Sequence, residues 1–237
     1  LAFWFGILGA GFGYLLGKTP GAVAAGVLAG IVVGVILEKW GVRPRAQSSS
    51  LKILIISCAN VLATLKAVAD PTVGGSGKWW YKAREELLQR ELSALSENNP
   101  NLKILDLASA CGGNFPACSR YGTVFGLDIS WQSIAICKSK SIKNLVQADA
   151  QRLPFADNSM DVVVALDVLE HLENDSGSMH EVARVLNKDG VFIFNTPALM
   201  QLFSYHDLAF HHFRRYSAAE LKSKLIKIFK KKINKFN

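Results

Sequence analysis

The sequence predicts an α/β protein, a doubly wound and mostly parallel sheet, preceded by a helical transmembrane hairpin. Three observations carry this. Five short apolar runs, LKILDL (102–107), TVFGLDI (123–129), NLVQAD (144–149), DVVVAL (161–166) and GVFIFNTP (190–197), are rich in Val, Ile and Leu, as strands buried on both faces should be. Helical stretches lie between several of them, notably SWQSIAICKSKS (130–141) and GSMHEVARVLNKD (177–189). Alternating β and α units give a parallel sheet with right-handed crossovers. The third observation is a pair of long uncharged segments upstream.

Residues 1–17 and 21–37 contain no charge, and only Lys18-Thr19-Pro20 separates them. Each reaches the lower limit for crossing a bilayer core as a helix, about 17 residues. Gly9, Gly13 and Gly17 repeat every four residues, as do Gly26, Gly30 and Gly34. Such a spacing lets two helices approach closely in lipid, so the hairpin is similar to glycine-zipper segments and suited to self-association. A signal peptide competes for the first segment, but a second apolar segment follows without an evident cleavage site. A buried helical hairpin in a soluble domain is the plainer alternative. Lys39, Arg43 and Arg45 follow the hairpin while its turn holds only Lys18, a bias that places the downstream chain on the cytoplasmic side. RPRAQSSS is a linker by composition. Leu51, Leu54, Ile55, Cys58, Leu62 and Leu65 then stand at helical spacing, predicting an in-plane membrane helix or a packed leader helix. The expected organisation is therefore 1–40 hairpin, 41–78 linker and helix, and 79–237 a single α/β domain.

Of the formal charge of +8, residues 217–237 contribute seven lysines against Glu220. Charge gathered at a chain end suits an anionic membrane surface, or a solvated tail, better than nucleic acid, which asks for a basic face on the folded domain. Cys58, Cys111, Cys118 and Cys137 show no C-x-x-C pair and no zinc-type spacing with His, so they are expected as reduced thiols, with no metal site.

In doubly wound sheets ligands sit beyond the carboxyl ends of the strands, which directs attention to Asp106, Asp128, Asp149, Asp167 and Asn195. The stretch LDLASACGGNF (105–115) runs from a strand into small residues. With LPFADNSMDVVVALDVLEHL, EVARVLNKDG and HDLAFHHFRRYSAAEL, in that order, it resembles the type 11 branch of class I S-adenosylmethionine (SAM) methyltransferases. WWYKAREELLQREL resembles the lead-in helix of part of that branch, and the similarity covers roughly residues 79–224.

The resemblance implies SAM as cofactor. It implies Asp106 near the cationic end of SAM, Asp128 with Ile129 at the ribose, Asp149 with Ala150 at the adenine, and Leu166 with Asp167 beside the methyl group. The turn through Ala108, Ala110 and Gly112 would bring backbone against the ligand. The family pattern has glycine at positions 108 and 110. Alanine fits there at negative φ, whereas a positive φ at Ala110 forces the loop to deform.

Methyl transfer is an in-line displacement, so the protein mainly aligns the reactants and excludes water. A base is needed only for acceptors that must lose a proton. His171, His206, His211 and His212 are the candidates, and His171, His206 and His211 stand first. Each alone is as readily structural. Arg214 and Arg215 either hold an anionic acceptor or pair with acids. The family implies a small-molecule acceptor, and the hairpin points to a lipid-like one. A nicotinamide-dependent oxidoreductase would show G-x-G-x-x-G after the first strand, and ASACGG does not. The other reading is a catalytically impaired, membrane-anchored protein of this fold serving as a binding or assembly module. The chain opens on Leu, and KKKINKFN leaves room for one further strand, so either truncation at both ends or a degenerate domain is expected.

Overall fold

The computed structural model describes residues 52–55 and 78–233. The expected hairpin, the linker and the end of the chain lie outside the described residues. Among the described residues, no helix is long and apolar enough to cross a membrane.

All five expected strands form, as β2 (Leu102–Leu107), β3 (Gly122–Asp128), β4 (Leu145–Gln147), β5 (Met160–Leu166) and β6 (Leu186–Asn195). A sixth, β1 (Lys52–Ile55), falls inside the segment expected to be helical. The sheet order is β1-β6-β5-β2-β3-β4 and every pairing is parallel. Lys52–Ile55 pairs in register with Val191–Phe194. The correction has a physical reason. A helix must satisfy its bonds locally, whereas the edge of β6 offers this short apolar run a ready ladder of partners. The sequence runs outward from β2 through β3 to β4, then returns to the other side of β2 at β5. The switch point therefore lies between β2 and β5, where ligands of such sheets bind.

The helices are α1 (Lys78–Ser96), a short α2 (Phe115–Cys118), α3 (Trp131–Ser139), α4 (Asp175–Val185), α5 (Tyr205–Ala209) and α6 (Ala218–Ile233). Side chains alternate across a strand, and the core divides accordingly. Leu105, Leu107, Val163, Ala165, Phe192 and Phe194 pack with α4 and α6. Ile104, Val162, Val164 and Ile193 pack with α1 and α2. Leu221, Leu225 and Ile228 of α6, spaced i, i+4, i+7, are buried, while Lys222, Lys224 and Lys227 fall between them. The α6 helix continues through Ile233, so residues 230–233, read as the start of a further strand, are helical instead. Ser130 caps α3, its Oγ accepting from the Ser133 amide at 3.2 Å, an arrangement that fixes where β3 gives way to helix.

Candidate active site

The acids predicted at strand ends are brought to one edge of the sheet. Asp106 lies at the end of β2, and Asp128 ends β3. Asp149 follows β4, and Asp167 follows β5. Asp106 is fully buried. Its Oδ1 accepts from Asn114 Nδ2 at 2.9 Å, while its Oδ2 is buried with no hydrogen-bond partner. Burial pushes this carboxyl up to about 7 against the pull of Asn114 and Arg84, and Asp128 adds to the rise. A buried carboxylate oxygen without a donor is costly. It fits a site completed by a cationic ligand.

The turn after β2 answers the question its two alanines raise. Ala108 has φ 55° and Ala110 φ 45°, with Gly112 at φ 78°. Both alanines thus occupy the left-handed region, which costs an L-residue about 1–2 kcal/mol. The neighbours hold them there. The Ala110 amide donates to Asp128 Oδ2 at 2.8 Å. Cys137 Sγ donates to the Ala110 carbonyl at 3.2 Å, and Lys140 Nζ to the Cys111 carbonyl at 2.8 Å. At Gly112 a Cβ would stand 2.4 Å from Ile142 Cδ1, the movable tip of a side chain, so it is the positive φ more than the space that asks for glycine there.

Asp128 accepts from Ser130 N through Oδ1 at 2.8 Å and from Ala110 N through Oδ2. A carboxylate has further lone pairs on both oxygens, as two ribose hydroxyls would need. Ile129 and Trp131 beside it are exposed. Asp149 Oδ1 accepts from the Gln151 amide at 2.8 Å, and Ala150 and Leu166 are buried. Every residue expected at the cofactor therefore lies on the carboxyl edge of the sheet or in the turns leaving it.

Asp167, also at positive φ (55°), is held from two sides. Asn195 Nδ2 donates to its Oδ1 at 2.6 Å, and the Asp167 amide donates back to Asn195 Oδ1 at 3.0 Å. Arg84 of α1 pairs with its Oδ2. The sequence reading passed over Arg84, since an arginine in an amphipathic helix 83 residues away carries no local signal.

Of the histidine candidates, His171 and His212 come together edge to face, with ring centroids 4.6 Å apart. Burial, then the neighbouring His212, hold the His171 imidazole below its usual range. His206 packs on Phe210, with centroids 4.6 Å apart. His211 is exposed at φ 58°. His212 Nδ1 bonds Asp207 Oδ1 at 3.0 Å. Asp207 is fully buried and also takes Arg215 through Nε at 2.7 Å and Nη2 at 3.0 Å. Arg215 thus pairs with an acid, and Arg214 likewise reaches Asp175 at 3.3 Å. Glu170, next to His171, was missed. Its side chain is buried and accepts from Thr196 Oγ1 at 3.0 Å. Burial, then Asp167, push its carboxyl up to about 8.

With the geometry in place, comparison with known proteins defines the class. Residues 105–194 match the family described as a methyltransferase domain, type 11. A probable SAM-dependent methyltransferase of Mycolicibacterium smegmatis is 27% identical over 167 residues, covering 67% of this chain and 63% of its own. Demethylmenaquinone methyltransferase of Corynebacterium kroppenstedtii is 29% identical over 130 residues, covering 53% of each chain. A solved structure of a putative methyltransferase from Bacillus halodurans superposes with TM-score 0.51 at 20% identity, covering 59% of this chain and 67% of that one; this likeness speaks for the fold alone. The chain spans between half and two thirds of the length of these relatives. The likeness to a methyltransferase domain thus spans residues 105–194, and the Mycolicibacterium smegmatis relative is named as SAM-dependent.

Proposed function

We propose that the chain transfers the methyl group of SAM to an oxygen of a small, lipid-like acceptor. The observation that carries this is the gathering of Asp106, Asp128, Asp149 and Asp167 on one sheet edge, around a turn whose backbone is held by Asp128. When bound, SAM supplies a methyl carbon already activated by its sulfonium. Asp106 holds the cationic end, Asp128 the ribose, and Asp149 with Ala150 the adenine. His171 feels the charge of Asp167 and packs against His212, and either imidazole can take a hydroxyl proton. The support for a lipid-like acceptor is that the segment leading to and just past His212 exposes Met200, Tyr205, Leu208, Phe210 and Phe213, with Phe210 6.3 Å from His212 ring to ring; exposed apolar side chains gathered together mark surfaces for apolar partners. Demethylmenaquinone methyltransferase, among the relatives, is named for an apolar quinone. We further propose that residues 1–37 anchor the chain in a membrane, with the domain on the cytoplasmic side and helix pairing through their glycines. The uncharged composition of those residues supports this.

A second reading has an observation in its favour. Ala108 and Ala110 both carry a left-handed penalty in the turn that would meet the cofactor, which suits a methyltransferase-fold binding or assembly module. Titration calorimetry of the full chain in detergent micelles separates the two. The unaltered chain is expected to bind SAM at micromolar concentration. The Ala108→Gly, Ala110→Gly double variant is expected to bind about tenfold more tightly, equivalent to 1.4 kcal/mol, because glycine carries no left-handed penalty and no Cβ against the ligand. Binding that appears only with glycine restored assigns the chain to the second reading.

Asp106 adds a pH signature. Its folded value is raised from 3.8 to about 7, so its burial weakens the fold as pH climbs through that window. Cofactor binding has the opposite slope, because the cation requires the ionised form. SAM affinity is expected to rise about tenfold per pH unit below about 7 and then level off. Titrations at a series of pH values check this, and a flat profile removes Asp106 from the cationic subsite.

A further inference from the structure

Beside the cofactor edge, Glu170, His171 and His212 each offer one ligand-type atom, and these three atoms lie within 4.8 Å of one another. We propose that this triad binds a divalent transition-metal ion of the zinc class. Two imidazoles and one carboxylate are a donor set for zinc that leaves a fourth position open.

The outer contacts are those a metal site requires. A ligating histidine fixes its ring by bonding its other nitrogen to a carboxylate or a backbone carbonyl. His212 does so through Nδ1 to Asp207 Oδ1 at 3.0 Å, which leaves Nε2 to ligate. Asp207 is itself locked by Arg215 and by the Ser204 amide at 2.8 Å. His171 is hydrogen-bonded to the backbone of His211, which leaves its other nitrogen. Glu170 spends one oxygen, Oε2, on Thr196. Each ligand is thus oriented by a second residue, two of them (Asp207 and His211) from the segment around α5 and one (Thr196) from the turn after β6.

Two groups oppose or shape the charge of the site. Arg215 lies close enough to act on Glu170, but it is engaged by both oxygens of Asp207. Asp167 adds negative charge from the other side. Donors each about 2.1 Å from one tetrahedral ion stand about 3.4 Å apart, so ligation draws a pair near the 4.8 Å limit inward by roughly an ångström or more. His171 is exposed and is the ligand free to move. Resting on the methyl-transfer reading, the open position would take the acceptor oxygen and favour its ionised form, in place of proton acceptance by His171 or His212, whose free nitrogens the ion would occupy.

The test is metal binding itself, measured without SAM so that its outcome is independent of cofactor binding. Untagged full chain in micelles, stripped with chelator and dialysed, is titrated with Zn²⁺ by calorimetry and with Co²⁺ by visible absorption. One ion per chain is expected, with the intense bands of a four-coordinate Co²⁺ site. His212→Ala and Glu170→Gln are each expected to weaken Zn²⁺ binding by about a hundredfold, and His180→Ala, elsewhere on α4, to leave it unchanged. His171→Gln, at an exposed position, serves as the variant whose fold is undisturbed, verified by an unaltered circular-dichroism melt. Absence of stoichiometric binding, or binding that survives His171→Gln undiminished, overturns the proposal.

Discussion

Asp128→Ala is expected to lower SAM affinity by at least about a hundredfold, equivalent to 2.7 kcal/mol. The carboxylate has two tasks. It is placed to accept from the ribose hydroxyls, and it already accepts from the Ala110 and Ser130 amides, each at 2.8 Å. Hydrogen bonds to a charged acceptor contribute about 1.5–3 kcal/mol each. Alanine removes those to the ligand and also frees an amide that holds the turn at positive φ. Without that acceptor, Ala110 has less reason to stay at φ 45°, so the loop relaxes away from the bound shape. Asp128→Asn keeps one acceptor oxygen and is expected to fall between. Calorimetric titration of the three chains measures the series. An affinity for Asp128→Ala within threefold of the unaltered chain would falsify the assignment of the ribose subsite.

Arg215→Ala is expected to destabilise the domain by about 3 kcal/mol, since breaking a buried pair leaves an uncompensated charge. Asp207 is fully buried. Desolvation alone would raise its carboxyl, but the bonds from Arg215, then His212 and Ser204, outweigh it and hold it at about 2. A lowered acid adds stability above its unfolded value of 3.8 and loses it as pH falls toward about 2. Without Arg215 that window moves upward, so the variant should lose stability at milder acidity than the unaltered chain. Urea unfolding across acid pH reads both effects. Asp207→Leu combined with Arg215→Leu should recover part of the loss, because no buried charge is then left alone. A double variant no more stable than Arg215→Ala would show that the cost lies in packing rather than in the charge.

The interior of the fold was legible because β2, β3, β5 and β6 are apolar enough to declare burial on both faces, and each is bounded by polar or small residues. The edges were not. Lys52–Ile55 sits within a stretch whose leucines also fit a helical period, and its hydrogen bonds come from Val191–Phe194, which no local pattern announces. The tail after Phe229 reads as strand or helix equally until α6 is seen to continue. In the site, acids at strand ends were legible from position alone. The sign of φ at Ala108 and Ala110 was not, since alanine is compatible with either until the turn is built. Arg84, Glu170 and Asp207 escaped notice because their meaning depends on partners brought near by the fold, such as Asp167 for Arg84.

The edge strand has a consequence for the order in which the chain assembles. Lys52 pairs with Val191, so among the described residues the first segment to be synthesised must wait for β6 before its pairing can form. Closing so long a loop costs entropy before any contact repays it, and synthesis proceeds from the N-terminus. The central strands can associate while β1 is still unpaired, and docking of β1 on β6 completes the sheet. Whatever precedes Lys52 is therefore joined to the domain late, through four residues of backbone ladder, after the cofactor edge has its shape.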